Sequence, residues 1–315
     1  MPENIHDKFF KENFSRQDIA ADFVRETFPE TLLAKLDLNT FVLSSASYVD
    51  PTLEEYFADI VYDCQYKGSH AVQIAILFEH KSQKEKYPHF QLLRYLLNSW
   101  EEARKQHKPP VLIIPVVIYH GKTRWNYEPL PSYFGPVDAE LTQFLPDFQY
   151  LLYDISHYDD EKLFGFRNRF LATSLFLMKH RENEARLLAE RHRLFVWLDD
   201  LIETETGQNY LMTTIIYLSK NLDTRPKNFF QTLFSTERTE NKAMTTYDQI
   251  IEEGIELGIE RGIERGIERG KESAFLSLLT VAYKQGINID QLAAQYNDLP
   301  RQRINELVAQ VKSQL

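Results

Sequence analysis

Two carboxylates and an ammonium stand where adjoining apolar runs end. Asp59 lies in Phe57-Ala58-Asp59-Ile60-Val61-Tyr62, and Glu79 and Lys81 close the run from Ala71 through Phe78. Acids of this kind are hard oxygen donors suited to a divalent cation, and a neighbouring lysine can position or help activate a water. The bland alternative is that acids at strand ends are solvated and that Lys81 simply neutralises them. Asp63 rivals Asp59 as the first acid because it has the same strand parity.

The elements must bring these residues together. Both runs are rich in strand formers, and Tyr66-Lys67-Gly68-Ser69-His70 between them is turn-like, so they read as a hairpin. Centring the hairpin near Ser69 sets Asp59 opposite Glu79 and Asp63 opposite Ala75, deeper toward the turn. Paired positions place their Cβ atoms roughly 4.5–5.5 Å apart, and alternation sends Lys81 to the face of Glu79. His80 points to the other face, where packing is its role, although its carbonyl could still ligate a metal.

Asp59, Glu79 and Lys81, spaced Asp-(x19)-Glu-x-Lys, resemble the metal-binding signature of the PD-(D/E)xK nuclease superfamily. The surrounding text is more specific. Ile5-His6-Asp7-Lys8-Phe9-Phe10-Lys11, Ser47-Tyr48-Val49-Asp50, Phe78-Glu79-His80-Lys81-Ser82, Leu93-Arg94-Tyr95 and Pro115 through Gly121 with Trp125 follow in order. Across about residues 5–156 the chain resembles the recombination-promoting nucleases, also called YhgA-like transposases. That resemblance implies Mg²⁺-dependent cleavage of DNA in recombination or mobile-element biology. Asp59, Glu79 and the His80 carbonyl would hold the metal, and Lys81 would complete the catalytic set. The superfamily's proline before the first acid is replaced by Ala58. Some family members carry Gln where Lys81 stands. Gln91 and Tyr95 resemble an additional Gln-x-x-x-Tyr motif of RecB-type nucleases, and at i, i+4 they share a helix face. Tyr95 could equally belong to the apolar stripe with Leu92, Leu96 and Trp100. Glu54 or Glu55 could add another acid, and the sequence does not choose between them.

Net charge is −10 over 315 residues, which at first argues against a nucleic-acid partner. Distribution matters more than the total. Between His80 and Arg124 nine bases face three acids. Within that zone Lys84, Lys86, Arg94, Lys122 and Arg124 are candidates for neutralising DNA phosphates. An ordinary charged helix face over 83–107 is the competing explanation.

The chain is long enough for a sizeable core. One cysteine, Cys64, excludes an intramolecular disulfide framework and suits a reducing compartment. The start of the sequence is polar and acidic, unlike a secretory leader. The apolar stretch Val111–Tyr119 spans nine residues, against roughly twenty for a membrane helix. A cytoplasmic location without membrane association is expected.

The expected fold class is α/β, a mixed sheet flanked by helices as in restriction endonucleases, followed by helical segments. Residues 5–28 read as one or two amphipathic helices that bury Phe9, Phe10, Phe14, Ile19, Phe23 and Phe28. Strands follow over 38–48, in the hairpin, at 111–119 and at 148–155, with a helix from Pro88 to about Gln106. The boundaries are 1–157 for the nuclease core, 158–245 for a helical domain, 246–272 for a repeat and 273–315 for a small helical tail. Gly286 suits a helix stop, Asn288 with Gln291 a capping box, and Pro300 the start of a last helix.

The repeat has Ile at 251, 255, 259, 263 and 267, Gly at 254, 258, 262, 266 and 270, and Glu and Arg rows between them. Five glycines cost on the order of 5 kcal/mol relative to alanine, so this segment alone is expected to be coil or fraying helix. Pairing with a second copy would let the rows interdigitate and make the protein a homo-oligomer; a flexible tether is the alternative.

Other chemistries find little support. Gly121-Lys122-Thr123 lacks the upstream glycine of a phosphate-binding loop, because position 116 is Val. The nine histidines show no zinc spacing, and His120 reads as structural or phosphate-contacting. The sequence therefore predicts a Mg²⁺-dependent endodeoxyribonuclease. The competing class is a nucleic-acid-binding or assembly module that retains the nuclease fold.

Overall fold

The computed structural model describes residues 5–44, 58–67, 70–79, 86–220, 226–234 and 236–314. The chain divides into two compact units, Met1–Tyr247 and Asp248–Leu315.

The first unit is built on a five-stranded mixed sheet with strands in chain order: β1 (Leu36–Leu43), β2 (Ala58–Tyr66), β3 (His70–Glu79), β4 (Leu112–Tyr119) and β5 (Leu151–Asp154). β1 with β2 and β2 with β3 pair antiparallel, whereas β3, β4 and β5 are mutually parallel. The change of sense follows from the connections. A short turn joins β2 to β3, but a parallel neighbour needs a crossover, supplied between β3 and β4 by helix α4 (Pro88–Lys105). Pro88 opens that helix, where its missing N–H costs nothing.

Helices cover both faces. Val61 of β2 and Val117 and Tyr119 of β4 pack with Leu92, Tyr95 and Leu96 of α4. On the other face lie α1 (Ile5–Phe14) and α2 (Gln17–Thr27), followed by the short α3 (Glu30–Leu33). The Tyr62 hydroxyl donates to the Phe14 carbonyl at 2.7 Å, and Phe23 meets the Tyr153 ring edge-on. All six apolar residues expected to be buried in this segment are buried.

The short α5 (Ala139–Thr142) lies between β4 and β5. After β5 the chain is helical: α6 (Asp160–Phe164), α7 (Arg169–His180), α8 (Glu184–Ala189), α9 (Arg191–Phe195), α10 (Glu205–Ser219) and α11 (Pro226–Leu233). α7 packs against α1, α2 and α6, which brings these helices into the first unit. It is buried almost all round, from Phe170 to Met178, so its sequence shows little polar stripe.

α12 runs from Glu237 to Lys284 and carries the whole repeat as continuous helix. Anchored ends account for this despite the five glycines. Ala243 is buried and Tyr247 meets the Phe230 ring at one end, and Phe275 and Leu279 are buried at the other. Helix propagating from a packed turn needs no new nucleus. In the second unit, Phe275, Leu279 and Ala282 pack with Ile289, Ile304 and Leu307 from α13 (Ile289–Gln295) and α14 (Arg301–Gln314). The expected punctuation is present. Gly286 adopts φ +74°, the Asn288 side chain accepts from the Asp290 and Gln291 amides, and Pro300 precedes α14. Among the described residues no helix is long and apolar enough to cross a membrane.

Candidate active site

The hairpin differs from expectation by one position at its centre. Tyr66 pairs with His70, so three residues form the loop and the ladder is centred on 68 rather than 69. Lys67 takes a left-handed conformation (φ +50°) at the start of that loop. Asp59 consequently pairs with Leu77, not Glu79, and Asp63 pairs with Gln73, not Ala75. Moving the centre by one shifts the register by two, which preserves the face of every residue. Positions 59, 77 and 79 still belong to one side of the sheet, with 59 and 79 diagonal neighbours rather than a direct pair.

The identity of that side follows from the neighbouring strands. Val61, two residues from Asp59, packs under α4, and so does Tyr119, the register partner of Glu79. Positions 59 and 79 therefore belong to the α4 face. Gln91 and Tyr95 lie on α4 itself: Tyr95 is buried in the apolar cluster and Gln91 is half-buried one turn earlier. At positions 59 and 79 the backbone is described; His80, Lys81, Lys84, Glu54 and Glu55 lie outside the described residues. Asp63 accepts a hydrogen bond from Gln73 Nε2 at 2.9 Å, farther along the sheet toward the turn. Among the described residues no three His, Cys, Asp or Glu side chains gather as a metal cluster.

The candidate phosphate contacts divide. Lys86 and Arg94 are exposed at the start and along the outer side of α4, with the Lys86 ammonium 5.0 Å from the Tyr87 ring centre. Arg124 is exposed beyond β4, while Lys122 is exposed but paired with Glu182 at 2.8 Å.

Several polar residues at the same edge of the sheet, His120 excepted, escaped sequence reading. Asp154 ends β5 and shares a row with Tyr119 and Glu79. Its carboxylate accepts from the Trp125 amide at 2.9 Å and from Ser156. Just past β4, buried His120 meets buried Arg181, whose Nη1 donates to His120 Nδ1 at 2.7 Å, to the His120 carbonyl at 3.2 Å and to the Met178 carbonyl at 2.9 Å. A guanidinium only donates, so Nδ1 is the accepting nitrogen and the ring carries its hydrogen on Nε2. Nearby, Asp160 accepts from Lys179 at 2.6 Å, from His180 at 2.8 Å and from both Nε and Nη2 of Arg186. Burial alone would raise its pKa, but the Lys179, His180 and Arg186 hydrogen bonds hold the carboxyl well below the ordinary range. These contacts join residues up to 61 positions apart. The only local signal was polar sequence after each apolar strand, where open α/β sheets commonly place ligand sites.

With this geometry in view, the chain belongs to the family described as "Putative transposase, YhgA-like", whose model matches residues 4–209. It is similar to the recombination-promoting nuclease RpnC of Escherichia coli (strain K12), 26% identical over 257 residues, covering 79% of this chain and 81% of that protein. It is equally similar to the inactive recombination-promoting nuclease-like protein RpnE of the same strain, 26% identical over 259 residues, with 79% and 82% covered. The recombination-promoting nuclease RpnD of Escherichia coli O157:H7 is 27% identical over 180 residues, 56% of this chain and 67% of that protein. No solved structure matches the chain.

Proposed function

We propose that this protein is a divalent-metal-dependent DNA endonuclease of the PD-(D/E)xK type, acting in recombination or transposition. The observation that carries the reading is the common face of positions 59 and 79 under α4, the helix that carries Gln91 and Tyr95. Diagonal neighbours on an antiparallel ladder are roughly 7–8 Å apart between Cα atoms. Aspartate and glutamate side chains reaching toward one another can span that distance with one ion between them. Two hard carboxylates fit Mg²⁺, which takes oxygen ligands at about 2.0–2.1 Å and retains several waters.

Bound there, the metal would supply Lewis-acid stabilisation of phosphate charge. The chain's own residues do the rest. Asp59, Glu79 and the His80 carbonyl would hold the ion, and Lys81 would orient the attacking water. Gln91 and Tyr95 brace the site from α4, and Lys84, Lys86, Arg94, Lys122 and Arg124 neutralise flanking phosphates. Family membership and the names of RpnC and RpnD support a nuclease role.

A second reading has its own observation. RpnE is named inactive yet matches as much of the chain as RpnC does, so the fold can be retained for binding or assembly. Supercoiled plasmid incubated with Mg²⁺ or with EDTA separates the two. A nuclease nicks only with metal, and Asp59→Ala and Glu79→Ala stop it while the fold is retained. Binding without nicking would establish the second reading.

Homo-oligomer formation through the repeat belongs to either reading. The five isoleucines of 251–267 are 44–58% exposed, and nothing fills the space above the glycine row. An isoleucine row at i, i+4 is a ridge and the glycine row beside it a groove. Two copies could pack ridge into groove at about −50°.

A further inference from the structure

The carboxyl edge of the sheet holds a cavity of about 310 Å³ that none of the proposed metal-site residues lines. It opens where β4 and β5 end, on the side of α7. Its wall includes His120, Lys122, His157, Lys179 and Arg181, with Glu182 as the one acid among the lining residues. With His180, six basic side chains surround one small concavity, an anion site in chemical type in which Lys179 and His180 share the Asp160 carboxylate. Two of the cations are fixed in place. Arg181 is tied to His120 and to two carbonyls, and Lys179 is held by the Tyr158 carbonyl and by Asp160. Their position at the C-terminal end of α7 is electrostatically favourable for cations, so the wall is built before any ligand arrives. Lys122 and His157 are the exposed members, Lys122 paired with Glu182 at 2.8 Å and His157 Nδ1 3.5 Å from the Asp154 carboxylate.

Resting on the nuclease reading above, we infer that this cavity is a backbone subsite that seats a phosphate of the DNA strand one or two nucleotides from the scissile bond. Spacing selects that occupant. β5 lies two strands from β3, about 10 Å at the ordinary strand separation, and Glu79, Tyr119 and Asp154 share one row across the three strands. Positions 59 and 79 belong to the α4 face and the cavity opens on the side of α7, so a strand with one phosphate at position 79 reaches the cavity by passing over the end of the sheet. The incoming phosphate displaces the Glu182 carboxylate from Lys122.

Fluorescence anisotropy of a labelled DNA duplex in EDTA tests this without any cleavage. Lys122→Ala combined with His157→Ala should weaken binding about tenfold and lower the salt slope by about one. Glu182→Gln should tighten it about threefold, because it removes the competing anion. Circular dichroism matching the wild type would exclude misfolding, and both substituted bases are exposed. If wild type binds and all variants bind alike, the subsite is wrong while the nuclease reading stands. If wild type binds no DNA, both fall.

Discussion

Asp59 lies opposite Leu77 across the β2–β3 ladder, one same-face step from Glu79. That relationship separates two acids that sequence parity alone cannot. Asp63 has the parity of Asp59 but is matched with Gln73 and hydrogen-bonded to it. Asp59→Asn should reduce Mg²⁺-dependent nicking by about 100-fold or more, the scale of losing one charge-stabilising group. Asp63→Asn should leave nicking within about twofold of wild type. Initial rates on supercoiled plasmid check both.

Asp160 joins α6 to α7 and α8 through Lys179, His180 and Arg186. Its folded pKa lies below the unfolded value. The stabilisation is therefore present above the ordinary carboxylate pKa of about 3.9 and lost as pH falls through and below it. Asp160→Asn should cost about 2 kcal/mol at pH 7, since it leaves half-buried cations without their carboxylate. Urea unfolding should show the gap between variant and wild type narrowing below about pH 4.

Gly121 has no room for a side chain, because a Cβ there would overlap the buried Tyr119 ring. The phosphate-loop look of Gly121-Lys122-Thr123 is thus a packing requirement. Gly121→Ala should destabilise the first unit by about 1–3 kcal/mol, the usual cost of overpacking. The midpoint of thermal unfolding would fall accordingly.

The exposed isoleucines of α12 give a test of assembly. If Ile255, Ile259 and Ile263 of both copies are buried at the interface, each of the six contributes about 0.75 kcal/mol, because each is already about half covered. Replacing all three with Glu should then weaken self-association about a thousandfold. Sedimentation velocity should show the wild type as oligomer and the variant as monomer.

Much of the first unit was legible because its signals are local. Pro88 and the amphipathic run after it gave α4, the unbroken Val111–Tyr119 run gave β4, and the phenylalanines of 5–28 gave α1 and α2. The hairpin register was not legible, since choosing 68 or 69 as its centre depends on loop conformation, including the left-handed Lys67. The helical state of the repeat was obscured by glycine propensity, which says nothing of anchors at 243 and 275. The His120–Arg181 contact was beyond reach because it joins residues 61 apart that only the packing of α7 brings together.

The central claim is that Asp59 and Glu79 share one ion. Calorimetric titration of Mg²⁺ into wild type, Asp59→Asn, Glu79→Gln and Asp63→Asn tests it most directly. The account predicts one binding site in wild type and Asp63→Asn, and its loss in each of the other two. Equal Mg²⁺ binding by all four proteins would contradict it.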